Sequence, residues 1–72
     1  MTLYGLASAL LAQGRPADAE APYRRSIAIR EKALGPDHAD TAASLSGLGN
    51  VLQQLGRYDE ALQQHQRVLA IR

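Results

Sequence analysis

Gly56-Arg57-Tyr58-Asp59-Glu60-Ala61, followed after five residues by Arg67-Val68-Leu69-Ala70-Ile71-Arg72, repeats a stretch found 42 residues earlier. The earlier copy reads Gly14-Arg15-Pro16-Ala17-Asp18-Ala19 and then Arg25-Ser26-Ile27-Ala28-Ile29-Arg30. Extending the same offset outward lays residues 3–30 on 45–72 without a gap and gives 11 identities in 28 aligned positions. They include Leu3/Leu45, Gly5/Gly47, Leu6/Leu48 and Leu10/Leu52 ahead of the Gly-Arg pair. Two ordered motifs recurring at one spacing are not a by-product of composition, so the chain is built from two copies of one unit.

Each unit reads as two helices. Leu45, Leu48, Leu52 and Leu55 fall at three- and four-residue steps, the stripe of one amphipathic helix. Leu3, Leu6 and Leu10 do the same in the first unit. Gly14 and Gly56 end these helices, because glycine enters the left-handed conformation of a helix stop without steric cost. The following helices start near Pro16 and Tyr58, the latter with Asp59 and Glu60 in a first turn where carboxylates suit the helix dipole. Their inner faces are expected to be Ala19, Tyr23 and Ile27, and Ala61, His65, Val68 and Leu69. Glu20 and Arg24 stand four apart in the favourable order. Gly35-Pro36 breaks the second helix, and Asp37 is the expected N-cap of the third. The predicted map is helix 2–13, helix 16–34, helix 38–55 and helix 58–72. Pro22 is expected to disturb the early turns of the second helix.

Composition narrows the possible functions. The chain has 72 residues, no cysteine, no Phe or Trp, and three tyrosines, so its core must come from Leu, Ile, Val and Ala. A balance of 8 basic and 7 acidic residues gives a formal charge of +1. That balance suits neither nucleic acid nor a membrane surface as a partner. No apolar run nears the roughly 20 residues of a membrane span, and no signal peptide is evident. The expected setting is therefore cytoplasmic. There is no phosphate loop, nucleophile motif or paired-acid constellation, so the chain is not expected to be an enzyme or to hold a cofactor. His38 and His65 sit far apart with no ligand spacing around them, so no metal site is expected. His65 is expected to be a packed histidine with one hydrogen bond. Arg24, Arg25, Arg30 and Lys32 are interrupted by Glu20 and Glu31 and are expected to form a solvated helix face.

The chain resembles tetratricopeptide repeats. That family places a Leu-Gly pair in the first helix of each unit, Ala early in the second, an aromatic four residues later and a small residue three beyond it. Leu48-Gly49, Ala61, His65 and Val68 occupy these places in the second unit, and Leu6-Ala7, Ala19, Tyr23 and Ser26 in the first. The run from Tyr23 to His38, with Glu31-Lys32-Ala33-Leu34-Gly35-Pro36-Asp37 inside it, is similar to the longer-repeat subclass typified by kinesin light chains. The period of 42 fits that subclass better than the usual period of about 34. His65, Val68 and Ala39 depart from the pattern, which has an aromatic, Ala and often Pro at those places.

The resemblance implies an all-α fold of two stacked helix-turn-helix repeats, a right-handed α-solenoid fragment of four helices. Residues 1–72 would form one domain, with repeat 1 at about 1–42 and repeat 2 at about 43–72. Ala7, Gly49, Ala19 and Ala61 would let helices approach closely. It also implies a protein-interaction scaffold that holds a peptide or partner helix in a concave groove lined by the first helix of each unit. Asn50 resembles the groove asparagine that clamps a ligand backbone through both ends of its amide. Ser46, Gln53 and Gln54 are expected to flank it, and Ser8 is its counterpart in the first unit. Tyr4 and Leu11 replace Ser46 and Gln53 there, giving either an apolar anchor for a partner or a contact with a preceding repeat. Arrays of this kind usually need about three repeats and a cap. The chain is therefore expected to be a piece of a longer array or to self-associate as a homo-oligomer through its uncovered faces. The Gly35-Pro36 hinge would permit exchange of helix pairs between two copies.

Overall fold

Two glycines at equivalent places terminate two helices by the same backbone device. Gly14 (φ +76°) and Gly56 (φ +81°) both adopt left-handed backbone. The Gly14 N–H donates to the Leu11 carbonyl at 3.0 Å and the Arg15 N–H to the Leu10 carbonyl at 2.9 Å. Gly56 donates to Gln53 at 3.1 Å and Arg57 to Leu52 at 2.8 Å. These paired bonds form a Schellman motif, which satisfies the carbonyls a helix end leaves open. The glycine stops expected from the sequence are therefore present, and each turns the backbone around within three residues.

The structure is a computed structural model and describes residues 2–71. Among them are four helices and no strand: α1 (Leu3–Ala12), α2 (Pro16–Leu34), α3 (Ala39–Gln54) and α4 (Tyr58–Ile71). Each boundary falls within one residue of the predicted map. The last position of the predicted helix 58–72, Arg72, lies outside the described residues. Pro22 lies within α2, which runs on unbroken. The missing Pro22 N–H costs the Asp18 carbonyl its helical partner, and the rest of the nineteen-residue helix tolerates that loss.

Two caps differ from simple expectation. Thr2 caps α1, its Oγ1 accepting from the Gly5 N–H at 2.9 Å. The third helix is capped by His38, not by Asp37: His38 Nδ1 accepts from the Asp40 N–H at 3.0 Å. Gly35 (φ +98°) ends α2, and the turn that follows places His38 one residue closer to the helix than Asp37. The Thr41 hydroxyl then donates to the Gly35 carbonyl at 2.9 Å and ties that turn to α3.

The helices pack in sequence, α1 on α2, α2 on α3 and α3 on α4, with α1 also reaching α3. α3 is the centre. It buries Leu45, Leu48, Val51 and Leu52 together with Thr41, Ser44, Gly47 and Gly49, so most of its circumference is covered. Small residues on the covered sides permit the close approach. Ala7 and Ala19 are fully buried and Ala61 nearly so, as the sequence suggested.

Gly47 and Gly49 have a packing reason. A Cβ at Gly47 would run into Cε1 and Cζ of the Tyr23 ring, and one at Gly49 would lie 2.8 Å from the His65 ring. Each ring of a second helix therefore seats on a glycine of α3. His65 has no hydrogen-bond partner among the described residues, so the bond expected of it is absent; ring packing holds it instead.

Two stripe positions are more open than periodicity implied. Leu6 is 39% exposed and Leu69 71%. The repeat-related residues Leu48 and Ile27 are buried at 2% and 8%. Leu48 and Ile27 face the neighbouring unit, whereas Leu6 and Leu69 lie on the outer flanks of the pair. Ala7 is the buried member of the Leu6-Ala7 pair.

No Cα of α2 comes within 8 Å of α4. Ion pairs span that gap instead. Arg57 Nη1 meets both Glu20 carboxylate oxygens at 2.9 Å, Arg24 reaches Glu60 at 3.4 Å, and Arg67 meets Glu31 at 2.7 Å. Arg24 also holds Glu20 at 3.0 Å, the four-residue pair the sequence indicated. Burial by itself raises the Glu20 carboxyl, but the hydrogen bonds and charges of Arg24 and Arg57 outweigh it and hold the group below its ordinary value.

Candidate functional site

The end of α1, the last turns of α3 and the start of α4 enclose an open cleft of about 450 Å³. Leu11, Asn50, Gln53, Gln54 and Tyr58 line it. The two Schellman turns create this arrangement. One stops α1 just beyond Leu11. The other reverses the backbone after α3, so Tyr58, the first residue of α4, stands beside Gln54 and Asn50. Asn50, Gln53 and Gln54 lie three and four residues apart and therefore share one helix face. All three are exposed. No hydrogen bond ties their amides to another described residue. Each thus presents a donor and an acceptor outward.

Four of the seven residues expected in a groove thus meet in one cleft: Asn50, Gln53, Gln54 and Leu11. Ser46 sits one turn before Asn50 on α3, half-buried. Ser8 is turned to the interior, its hydroxyl 3.0 Å from the Tyr23 hydroxyl. Tyr4 is elsewhere. Its ring packs edge-on to Tyr23, with centroids 6.0 Å apart, and carries the Arg30 guanidinium 4.9 Å above its face. It borders a separate, smaller cleft of about 200 Å³ with Leu3, Ile29 and Arg30.

Arg30 is not simply solvated. It is half-buried, and its Nη1 donates to the Asp40 carbonyl at 2.7 Å and to Ser44 Oγ at 3.1 Å, next to the buried Ser26–Ser44 hydroxyl pair at 2.8 Å. These contacts fasten the first turn of α3 to α2. Arg24, too, is engaged in ion pairs.

Tyr58 is a cleft residue that sequence reasoning does not reach, because its pattern marks only a helix start. The available signal was an exposed-type aromatic directly after Gly56-Arg57, where the first unit has Pro16.

Four helices in two equivalent pairs, joined by equivalent turns, define an all-α helical repeat protein. A match to the family described as Tetratricopeptide repeat spans residues 1–72, and the chain belongs to that family. Such repeats generally serve as non-enzymatic scaffolds for protein–protein interaction. No curated protein and no solved structure matches this sequence. No helix among the described residues is long and apolar enough to cross a membrane.

Proposed function

We propose that this chain is a protein-interaction scaffold whose binding site is the Leu11–Asn50–Gln53–Gln54–Tyr58 cleft. Asn50 is the central hydrogen-bonding residue, and Ser46 extends the same surface one turn earlier along α3, whereas Ser8 is bonded to Tyr23 and Tyr4 borders the separate cleft. The observation that carries this reading is the convergence of three outward-facing amides on one open cleft beside Leu11 and Tyr58. The 42-residue period and the run from Tyr23 to His38 support assignment to the kinesin-light-chain-like subclass, with one domain of two repeats at about 1–42 and 43–72. The test is selection of binders from a displayed random-peptide library, followed by Asn50→Ala. Loss of binding at unchanged helicity supports the reading. Binding indifferent to Asn50 moves the site elsewhere, and an empty selection removes the reading.

A second reading is self-association through repeat flanks. Leu62 and Leu69, one face of α4, are 57% and 71% exposed, whereas Ile27, the counterpart of Leu69, is buried against α3. Light scattering over a wide concentration range tests it. A mass that stays monomeric throughout removes it.

A further inference from the structure

We infer that the cleft selects an extended, uncharged peptide segment bearing one aromatic or large aliphatic side chain, and that Tyr58 is its specificity-determining residue. This inference rests on the groove reading above and deepens it.

The first argument is charge. Among the cleft-lining residues the only ionisable group is the Tyr58 phenol. The arginines nearest in sequence are engaged elsewhere: Arg57 binds Glu20 and Glu60, and Arg15 binds Asp18 at 2.9 Å. A carboxylate or ammonium entering the cleft would meet no counter-ion among the lining residues. Amides are neutral, and a single Asn or Gln is able to satisfy both a peptide N–H and a peptide carbonyl.

The second argument is spacing. Asn50 and Gln54 are one helical turn apart, roughly 6 Å along α3. Alternate residues of an extended peptide repeat at about 6.8 Å and leave backbone groups unpaired on that side. A partner helix has already used its backbone groups internally and would offer the amides nothing but side chains. The extended segment is therefore the better match.

The third argument is shape. Leu11 and the ring of Tyr58, 67% exposed, are the apolar surfaces of the cleft. An aromatic or aliphatic side chain laid against them covers apolar surface that is otherwise exposed, while alternate backbone groups lie over the amides. Tyr58 makes no hydrogen bond to another described residue, so its exposure serves no visible internal purpose.

The test uses the same displayed random-peptide library on the 72-residue chain, with the enriched sequences read out. The expected result is enrichment of peptides with one aromatic or large aliphatic residue flanked by uncharged positions. For one such peptide, Tyr58→Ala should weaken binding by about tenfold or more, as truncation of an interface anchor does. Affinity should change little between low and high salt. Tyr58→Ala should leave helicity unchanged, since the ring is largely exposed. Enrichment of acidic or basic peptides whose binding needs Asn50 would overturn this inference and leave the groove reading standing. So would full affinity in Tyr58→Ala. An empty selection would overturn both.

Discussion

The Tyr23 ring occupies the space where Gly47 has only hydrogen, so that a Cβ there would collide with Cε1 and Cζ of the ring. Tyr23 cannot swing aside. It is 2% exposed, its hydroxyl is bonded to Ser8, and its edge is against Tyr4. Gly47→Ala gains about 1 kcal/mol in helix propensity. Overpacking a fixed ring costs about 1–3 kcal/mol. The variant should be destabilised on balance, read as a lowered urea midpoint. Equal or higher stability would mean that Tyr23 has room to move.

Gly49→Ala offers a contrast. The same added methyl meets His65, which is half-buried and without a hydrogen-bond partner among the described residues. That ring can shift, so the overpacking cost should be smaller and the variant closer to neutral than Gly47→Ala. Side-by-side urea melts decide it. A larger loss at Gly49 than at Gly47 would contradict the ranking.

The link between Glu20 and Arg57 makes stability depend on acid. Glu20 titrates lower in the folded protein than in the unfolded one. Its contribution is therefore complete above the unfolded value, declines as pH falls through it and is gone below the folded value. Glu20→Gln should flatten the acid limb of a stability–pH curve, and added salt at neutral pH should weaken the link by screening it. An unchanged acid limb in the variant would count against this link.

Thr41 is fully buried and its hydroxyl holds the Gly35 carbonyl. Thr41→Val keeps the shape and removes that bond. The expected cost is about 1 kcal/mol, with faster amide exchange at the start of α3 as the more specific readout. Unchanged exchange there would mean that the turn is held by other contacts.

The helix limits were legible because glycine and proline act locally. Gly14, Gly35 and Gly56 set their stops through their own backbone angles, without help from distant residues. His38 as a cap was not legible, since Asp37 and His38 are both able acceptors and only the turn after Gly35 chooses between them. The exposure of Leu6 and Leu69 escaped periodicity for another reason. A helical stripe marks a covered face but does not say which of two flanks has a neighbour. Arg30 looked like a surface charge because its partners, Asp40, Ser44 and Tyr4, lie on other helices. In the cleft, Asn50, Gln53, Gln54 and Leu11 could be assembled from helix spacing and the family pattern. Tyr58 could not, because its place depends on the reversal at Gly56.

The two Schellman turns carry a consequence for how such arrays grow. Each is closed by bonds among residues no more than five apart, so neither depends on the other unit for its shape. A duplication or loss of one 42-residue block in a gene would leave every turn intact and every helix in register. Only the side chains meeting across the new junction would need to adapt. Length is thereby separated from foldability, and a lineage can lengthen or shorten the array while each unit keeps its own geometry.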